Sequence, residues 1–208
     1  MGSIRVHAVE SSNLVSKEGC EKLVRIFRHA KETHQVFVLA PLRDTEFELA
    51  SLLACAKEHD ERLWSMQEQR FSSWTELVET ILTVPAGRNV LERIKHGFAD
   101  IEDILRSVWL VEEVSSGVQR YLEKLCDSWI ADLLCHYATT QGIAADLVEY
   151  SALVVGSAPS KRLLVVYGQL PQPEGSMPRD GRSEYAASQL AGILKAEGVT
   201  FWNNTSLL

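Results

Sequence analysis

Apolar positions along the chain fall into two different rhythms. Ile4–Val9 is a short run that predicts a strand. Ser16 stands where a helix cap would, ahead of Leu23, Val24, Ile26 and Phe27 at helical spacing, so a helix is expected from Lys17 to about Lys31. Gln35–Ala40 is apolar and β-branched with no alternation, the pattern of a strand covered on both faces, and Pro41 ends it. A second helix is expected from Asp44 or Thr45, with Phe47, Leu49, Leu52, Leu53 and Ala56 on one side. From Glu58 to Tyr137 the pattern is helical throughout, with breaks at Pro85-Ala86-Gly87 and Ser115-Ser116-Gly117. Strands follow near Ala145–Val148 and Lys161–Tyr167. The stretch 168–181, rich in proline and glycine, reads as a loop or hairpin. Ser183 is expected to cap a helix running to about Ala196, and Val199–Trp202 to form a last strand.

Strands alternating with helices at both ends, with a helical stretch between them, predict an α/β layered domain with a mainly parallel sheet. The aromatic residues Trp64, Phe71, Trp74, Phe98 and Trp109 fall within the helical stretch. Aromatic residues so placed read as a helix-packing seam rather than a ligand box.

Composition narrows the class. With 208 residues, 46% hydrophobic and 24% charged, the chain has the make-up of a globular domain with its own core. A net charge of -7 argues against nucleic acid as a partner, because phosphate backbones need a basic face. No window is apolar enough to span a membrane. The N-terminus has no secretory apolar run, and Val6 stands where a myristoylation motif needs Ser or Thr, so a cytoplasmic location is expected. The four cysteines, Cys20, Cys55, Cys126 and Cys135, match no zinc spacing and read as small buried side chains; no metal and no cofactor is expected. The histidines do not cluster; His29 and His34, or His136 alone, are the ligand candidates among them, and each reads first as a surface or partly packed side chain.

The last fifty residues carry a resemblance. The run Leu163-Leu164-Val165-Val166-Tyr167-Gly168, a Pro/Gly loop, and then Gly-Arg-Ser-Glu-Tyr-Ala-Ala over 181–187 are similar to aspartokinases. In those enzymes a strand ends in glycine, and G-R-G-G-S-D-Y-x-A-A opens a helix that leads to a strand ending I-W-T-D. The N-terminal layout agrees, and Cys126–Glu149 aligns with the family's G-E-x-x-S helix and following strand. The resemblance implies a three-layer amino-acid-kinase-like sandwich over 1–208, shortened, with residues 58–137 as a mostly helical insertion.

The resemblance also implies which chemistry is gone. The family's phosphate-contacting lysine falls on Ala8. Its two close-approach glycines fall on Glu10 and Ser11, and its hydroxyl position on Ser12. The substrate-loop threonine falls on Thr45 and the glutamate of the G-E pair on Asp127. The substrate-gripping arginine falls on Asp180, a charge reversal. Gly181, Arg182, Ser183, Glu184 and Tyr185 complete that motif, and the T-D pair falls on Asn203-Asn204. One lost phosphate donor costs about 3–4 kcal/mol of transition-state stabilisation, and several are absent here. Transfer of a phosphoryl group from ATP is therefore not expected.

What remains predicts a pocket for a small anionic or amino-acid-like ligand, with Ser11, Ser12, Thr45, Asp127, Asp180, Arg182, Ser183 and Glu184 as its candidate residues. Three functions stay open. The first is a repurposed non-kinase enzyme, one subunit of a homo- or hetero-oligomer with a protein of similar fold. It would act on an amino-acid-derived substrate in specialised metabolism, by elimination or cyclisation with loss of sulfate or phosphate as in aziridine formation. The second is a catalytically dead partner of an active homologue. The third is an atypical phosphotransferase.

Overall fold

The computed structural model describes residues 3–154, 161–168 and 182–202, without the side chains of residues 43–46. Five strands form one sheet: β1 (Ile4–Val9), β2 (His34–Leu39), β3 (Ala145–Glu149), β4 (Leu163–Tyr167) and β5 (Gly198–Trp202). Their order is β3-β4-β2-β1-β5, and every pairing is parallel. β1, β2 and β4 are central, which is why their sequences are nearly unbroken apolar runs: both of their faces are covered.

Among the described residues seven α-helices flank the sheet: α1 (Lys17–His29), α2 (Arg43–Lys57), α3 (Arg62–Ile81), α4 (Val84–Val111), α5 (Ser116–Thr140), α6 (Tyr150–Val154) and α7 (Arg182–Leu194). The architecture is an α/β sandwich with helices on both faces of a parallel sheet. Ser16 caps α1 as expected, its hydroxyl accepting from the Gly19 N–H at 3.1 Å. Ser115 does the same for α5 with Val118.

Among the described residues the two faces are covered unequally. One carries Val9, Phe37, Leu39, Leu163 and Val165 into a large core with α1 to α5. The other, among the described residues, buries Val6, Ala8, Val36, Val38, Leu164 and Val166 against α6 and α7. Inside the large core α4 and α5 meet at an aromatic seam. Trp129 stacks on Phe98 at 5.1 Å and receives the edge of Trp74 at 5.2 Å. Gly97 makes that approach possible: a Cβ there would lie 2.5 Å from Trp129 Cζ2. The packing-seam expectation holds for these rings.

Three local expectations are corrected. The break before α4 falls at Leu82–Thr83, and Pro85 sits inside the first turn, where its missing N–H costs nothing. Ser183 is not the cap of α7 but lies in its first turn, with its hydroxyl donating to Glu184 Oε2 at 3.0 Å. The short helix α6 follows β3 directly, where only a strand was expected. The predicted loop falls in residues 169–181, outside the described residues.

Candidate functional site

The path of the chain selects one edge of the sheet. After β1 the chain passes through α1, which packs on the large-core face; after β4 it passes through α7, which packs on the opposite face. Where successive helices leave to opposite faces, a crevice opens beyond the carboxyl ends of the strands. β4, β2 and β1 are neighbours there. At about 4.8 Å per strand their ends span about 10 Å, the scale of an amino acid.

Two predicted residues follow β1 directly. Ser11 and Ser12 belong to a 3₁₀ turn over Ser11–Leu14. Ser11 is buried, and its hydroxyl donates to the carbonyl of Ala40, the residue after β2. That bond stitches the β1 and β2 ends together and uses the Ser11 hydroxyl internally. Ser12 is exposed. Thr45 lies in the first turn of α2, after β2, and its side chain is outside the described residues. Arg182, Ser183 and Glu184 open α7, which follows β4. Ser183 is 2% exposed, its hydroxyl turned to Glu184. Asp180 lies outside the described residues.

Asp127 is half-buried on α5, one turn beyond Lys124. α5 runs antiparallel to β3, so its middle passes the strand's carboxyl end. Lys124, one turn before Asp127, fixes the level: its Nζ lies 2.7 Å from Oε2 of Glu149, the last residue of β3. Ser151 donates to the other oxygen of Glu149 at 2.9 Å. Gly168, just past β4, adopts a φ of +98°, and a Cβ there would come within 3.3 Å of Glu149 Cγ. Glycine thus both permits the turn and leaves room for the carboxylate.

These contacts set the charges. The bond from Lys124, then that from Ser151, holds the Glu149 carboxyl below its ordinary range. The same Glu149 bond raises the Lys124 ammonium. Burial, followed by the Glu149 charge, raises the phenol of Tyr167 at the end of β4. Lys124, Glu149 and Tyr167 were not singled out from the sequence. Their only signal was that Lys124 and Asp127 share a helix face at i, i+3 spacing, and the acid at the end of β3 gave no hint of its partner.

Other polar clusters serve the frame. His7 on β1 is 2% exposed. Its Nδ1 accepts from Trp202 Nε1 at 2.9 Å. Indole is only a donor, so the His7 proton sits on Nε2 and is donated to Gln35 Oε1. Gln35 in turn donates to Glu32 at 3.1 Å. Burial dominates over these bonds and lowers the His7 pKa from its ordinary 6.5. Of the histidines set aside for ligands, His29 and His34 bond the carbonyls of Arg25 and Lys161. His136 lies 3.3 Å from Asp132, which also takes two bonds from Arg93.

Cys20, Cys126 and Cys135 are buried, and burial pushes the thiols of Cys20 and Cys135 up to about 12 and that of Cys126 up as well. None is a nucleophile at neutral pH. Among the described residues no group of three or more His, Cys, Asp or Glu side chains is placed to hold a metal ion. Nor is any helix among them long and apolar enough to cross a membrane.

No family model matches the sequence, and no curated protein matches it. The fold does have solved counterparts. Escherichia coli aspartokinase III in complex with aspartate and ADP, in the R-state, matches over 96% of this chain with a TM-score of 0.75 and 14% sequence identity. The T-state of that enzyme, in complex with lysine and aspartate, matches over 96% with a TM-score of 0.72 and 13% identity. The chain spans about half, 49%, of the length of each. At such identities the likeness is one of fold, and the fold is aspartokinase-like.

Proposed function

We propose that this chain is a non-kinase protein on an aspartokinase-like fold, which binds a small amino-acid-like or anionic ligand at the carboxyl edge of its sheet. The observation that carries this reading is Ala8. The family resemblance aligns the phosphate-contacting lysine with this residue, which is 2% exposed and packed in the smaller core with Val36, Val38 and Leu190. A buried methyl group supplies none of the charge that phosphoryl transfer needs. The Ser11 hydroxyl, spent on Ala40, points the same way.

The charges that remain suit an amino acid better than a nucleotide. Lys124 and Glu149 present opposite charges side by side, complementary to an α-carboxylate and an α-ammonium, and Asp127 stands one helical turn from Lys124. The start of α7 places the positive end of a helix dipole at this edge, which suits an anion. The reaction class that fits is intramolecular displacement. The substrate's amine attacks a carbon bearing a sulfate or phosphate ester; the C–O bond breaks and the leaving group departs as an anion. The amine's proton passes to a carboxylate, and a strained ring such as an aziridine remains.

Calorimetric titration with aspartate, sulfate and MgATP tests the reading. Saturable binding of aspartate or sulfate, lost at least tenfold in Lys124→Met, is the expected result, with no heat from MgATP. Tight MgATP binding with turnover to ADP would overturn it in favour of an atypical phosphotransferase.

A second reading, a subunit that supports an active homologue, has one observation in its favour. Among the described residues β5 pairs with β1 alone, and Phe201 on it is 48% exposed. Stable co-purification with a protein of similar fold, and chemistry only in that complex, would favour this reading.

A further inference from the structure

A cavity of 660 Å³ lies along α1, between that helix, the α3–α4 junction and the end of α5. It is separate from the carboxyl edge of the sheet at its Arg28 end, because α1 and α5 both finish at the amino ends of the strands they lead into. Lys17, Glu21, Arg25 and Arg28 line it as one stripe, spaced at four, four and three residues. Three exposed cations thus stand beside one carboxylate, in a chain whose net charge is -7. Lys17 and Arg25 have no ion-pair partner among the described residues, whereas neighbouring Lys22 is paired with Glu18 at 3.0 Å. Arg28 Nη2 donates to the carbonyl of Gln141 at 2.9 Å and to its side-chain oxygen at 3.5 Å.

Two further features of the cavity are compatible with an anion. Tyr137 is 5% exposed, lines the cavity, and its hydroxyl makes no hydrogen bond among the described residues. Burial and then the Glu21 charge raise its phenol, so it stays a donor at neutral pH, and Arg28 lies close enough to oppose that rise. α4 also begins at this cavity. Its cap residue Thr83 lines the wall and makes no side-chain capping bond; Pro85 carries no N–H and the Gly87 N–H is bonded to the Thr83 carbonyl at 2.9 Å, so Val84 and Ala86 are the first-turn N–H groups without an intrahelical acceptor.

We propose that this cavity binds an elongated organic phosphate, anionic at both ends and rich in hydrogen-bond donors between them. Arg25, Arg28 and the Tyr137 hydroxyl receive one phosphate, since guanidinium forks and a neutral donor match its oxygens. Lys17 receives the second anionic group, about 16 Å along the helix axis before side chains reach inward. Glu21, between them on the stripe, disfavours a uniform polyanion and accepts from a hydroxyl-bearing middle. A sugar bisphosphate has this pattern.

The probe is fructose 1,6-bisphosphate, titrated calorimetrically into the full chain at fixed ionic strength beside inorganic phosphate. One saturable site is expected, at least tenfold tighter for the bisphosphate. Arg25→Ala should weaken it at least tenfold and Tyr137→Phe at least threefold, with the far-ultraviolet spectrum and melting temperature of both variants checked for folding. Lys22→Ala, outside the cavity, and Lys124→Met, at the other site, should leave it unchanged. Absence of saturable heat, or equal loss in Lys22→Ala and Arg25→Ala, would overturn the proposal.

Discussion

His7 is a buried imidazole committed to one tautomer, and its environment makes folding stability depend on pH. Its folded pKa lies below the ordinary 6.5. Above 6.5 the ring is neutral in both states and the whole contribution is present. As pH falls through 6.5 the unfolded chain takes up a proton that the folded chain refuses, so stability declines until the folded pKa is reached. The slope in that window is at most about 1.4 kcal/mol per pH unit. Urea unfolding between pH 7.5 and 5 should show a loss that His7→Phe flattens; an identical slope in the variant would show that other groups set it. Trp202→Phe removes the only donor to Nδ1 and should cost about 1 kcal/mol, read by the same unfolding. The thiols give a second expectation at this scale. In the native protein Cys55, the one half-exposed cysteine, should react first with a disulfide reagent, while Cys20, Cys126 and Cys135 react only on unfolding.

At the scale of elements, the seam between α4 and α5 is the place where a single methyl group matters most. Gly97→Ala would drive a Cβ into the rigid ring of Trp129, which is held by Phe98 and Trp74, so the helices must part. A loss of about 1–3 kcal/mol is expected in denaturant unfolding; a neutral result would mean that the two helices separate freely. Elements such as β2 and β4 were legible in the sequence because centrality forces unbroken apolar runs. The helical stretch was legible because α3 and α4 each bury one stripe, while α5 is buried on all sides over residues 129–135. Pro85 misplaced a boundary because proline marks helix beginnings as readily as ends. The His7–Gln35–Trp202 chain was invisible for another reason: it exists only because the strand order puts β1 between β2 and β5. Lys124–Glu149 likewise depends on how α5 docks against β3, which no local pattern encodes. At the candidate site the sequence placed Ser11, Thr45 and the start of α7 at strand ends, but could not tell that Ser11 is turned inward and Ser183 tied to Glu184.

Among the described residues a wide bundle covers one face of the sheet and two helices cover the other. The carboxyl edge draws its candidate residues from both sides: Lys124 and Asp127 from the bundle, Ser183 and Glu184 from α7. A ligand held across that edge would therefore bridge two layers of very different packing. Among the described residues the layer of α6 and α7 rests on few large side chains, including Tyr150, Leu153 and Leu190, with a side-chain bond from Tyr150 to Gln189 at 2.9 Å joining its two helices. Cooperative opening free energy follows buried apolar contact, so amides of α6 and α7 should exchange with solvent deuterium through a partial opening well below the global unfolding energy. Those of α4 and α5 should exchange only with the whole fold. A saturating ligand at the carboxyl edge should slow exchange in α7 selectively, making that lightly anchored helix a reporter of occupancy.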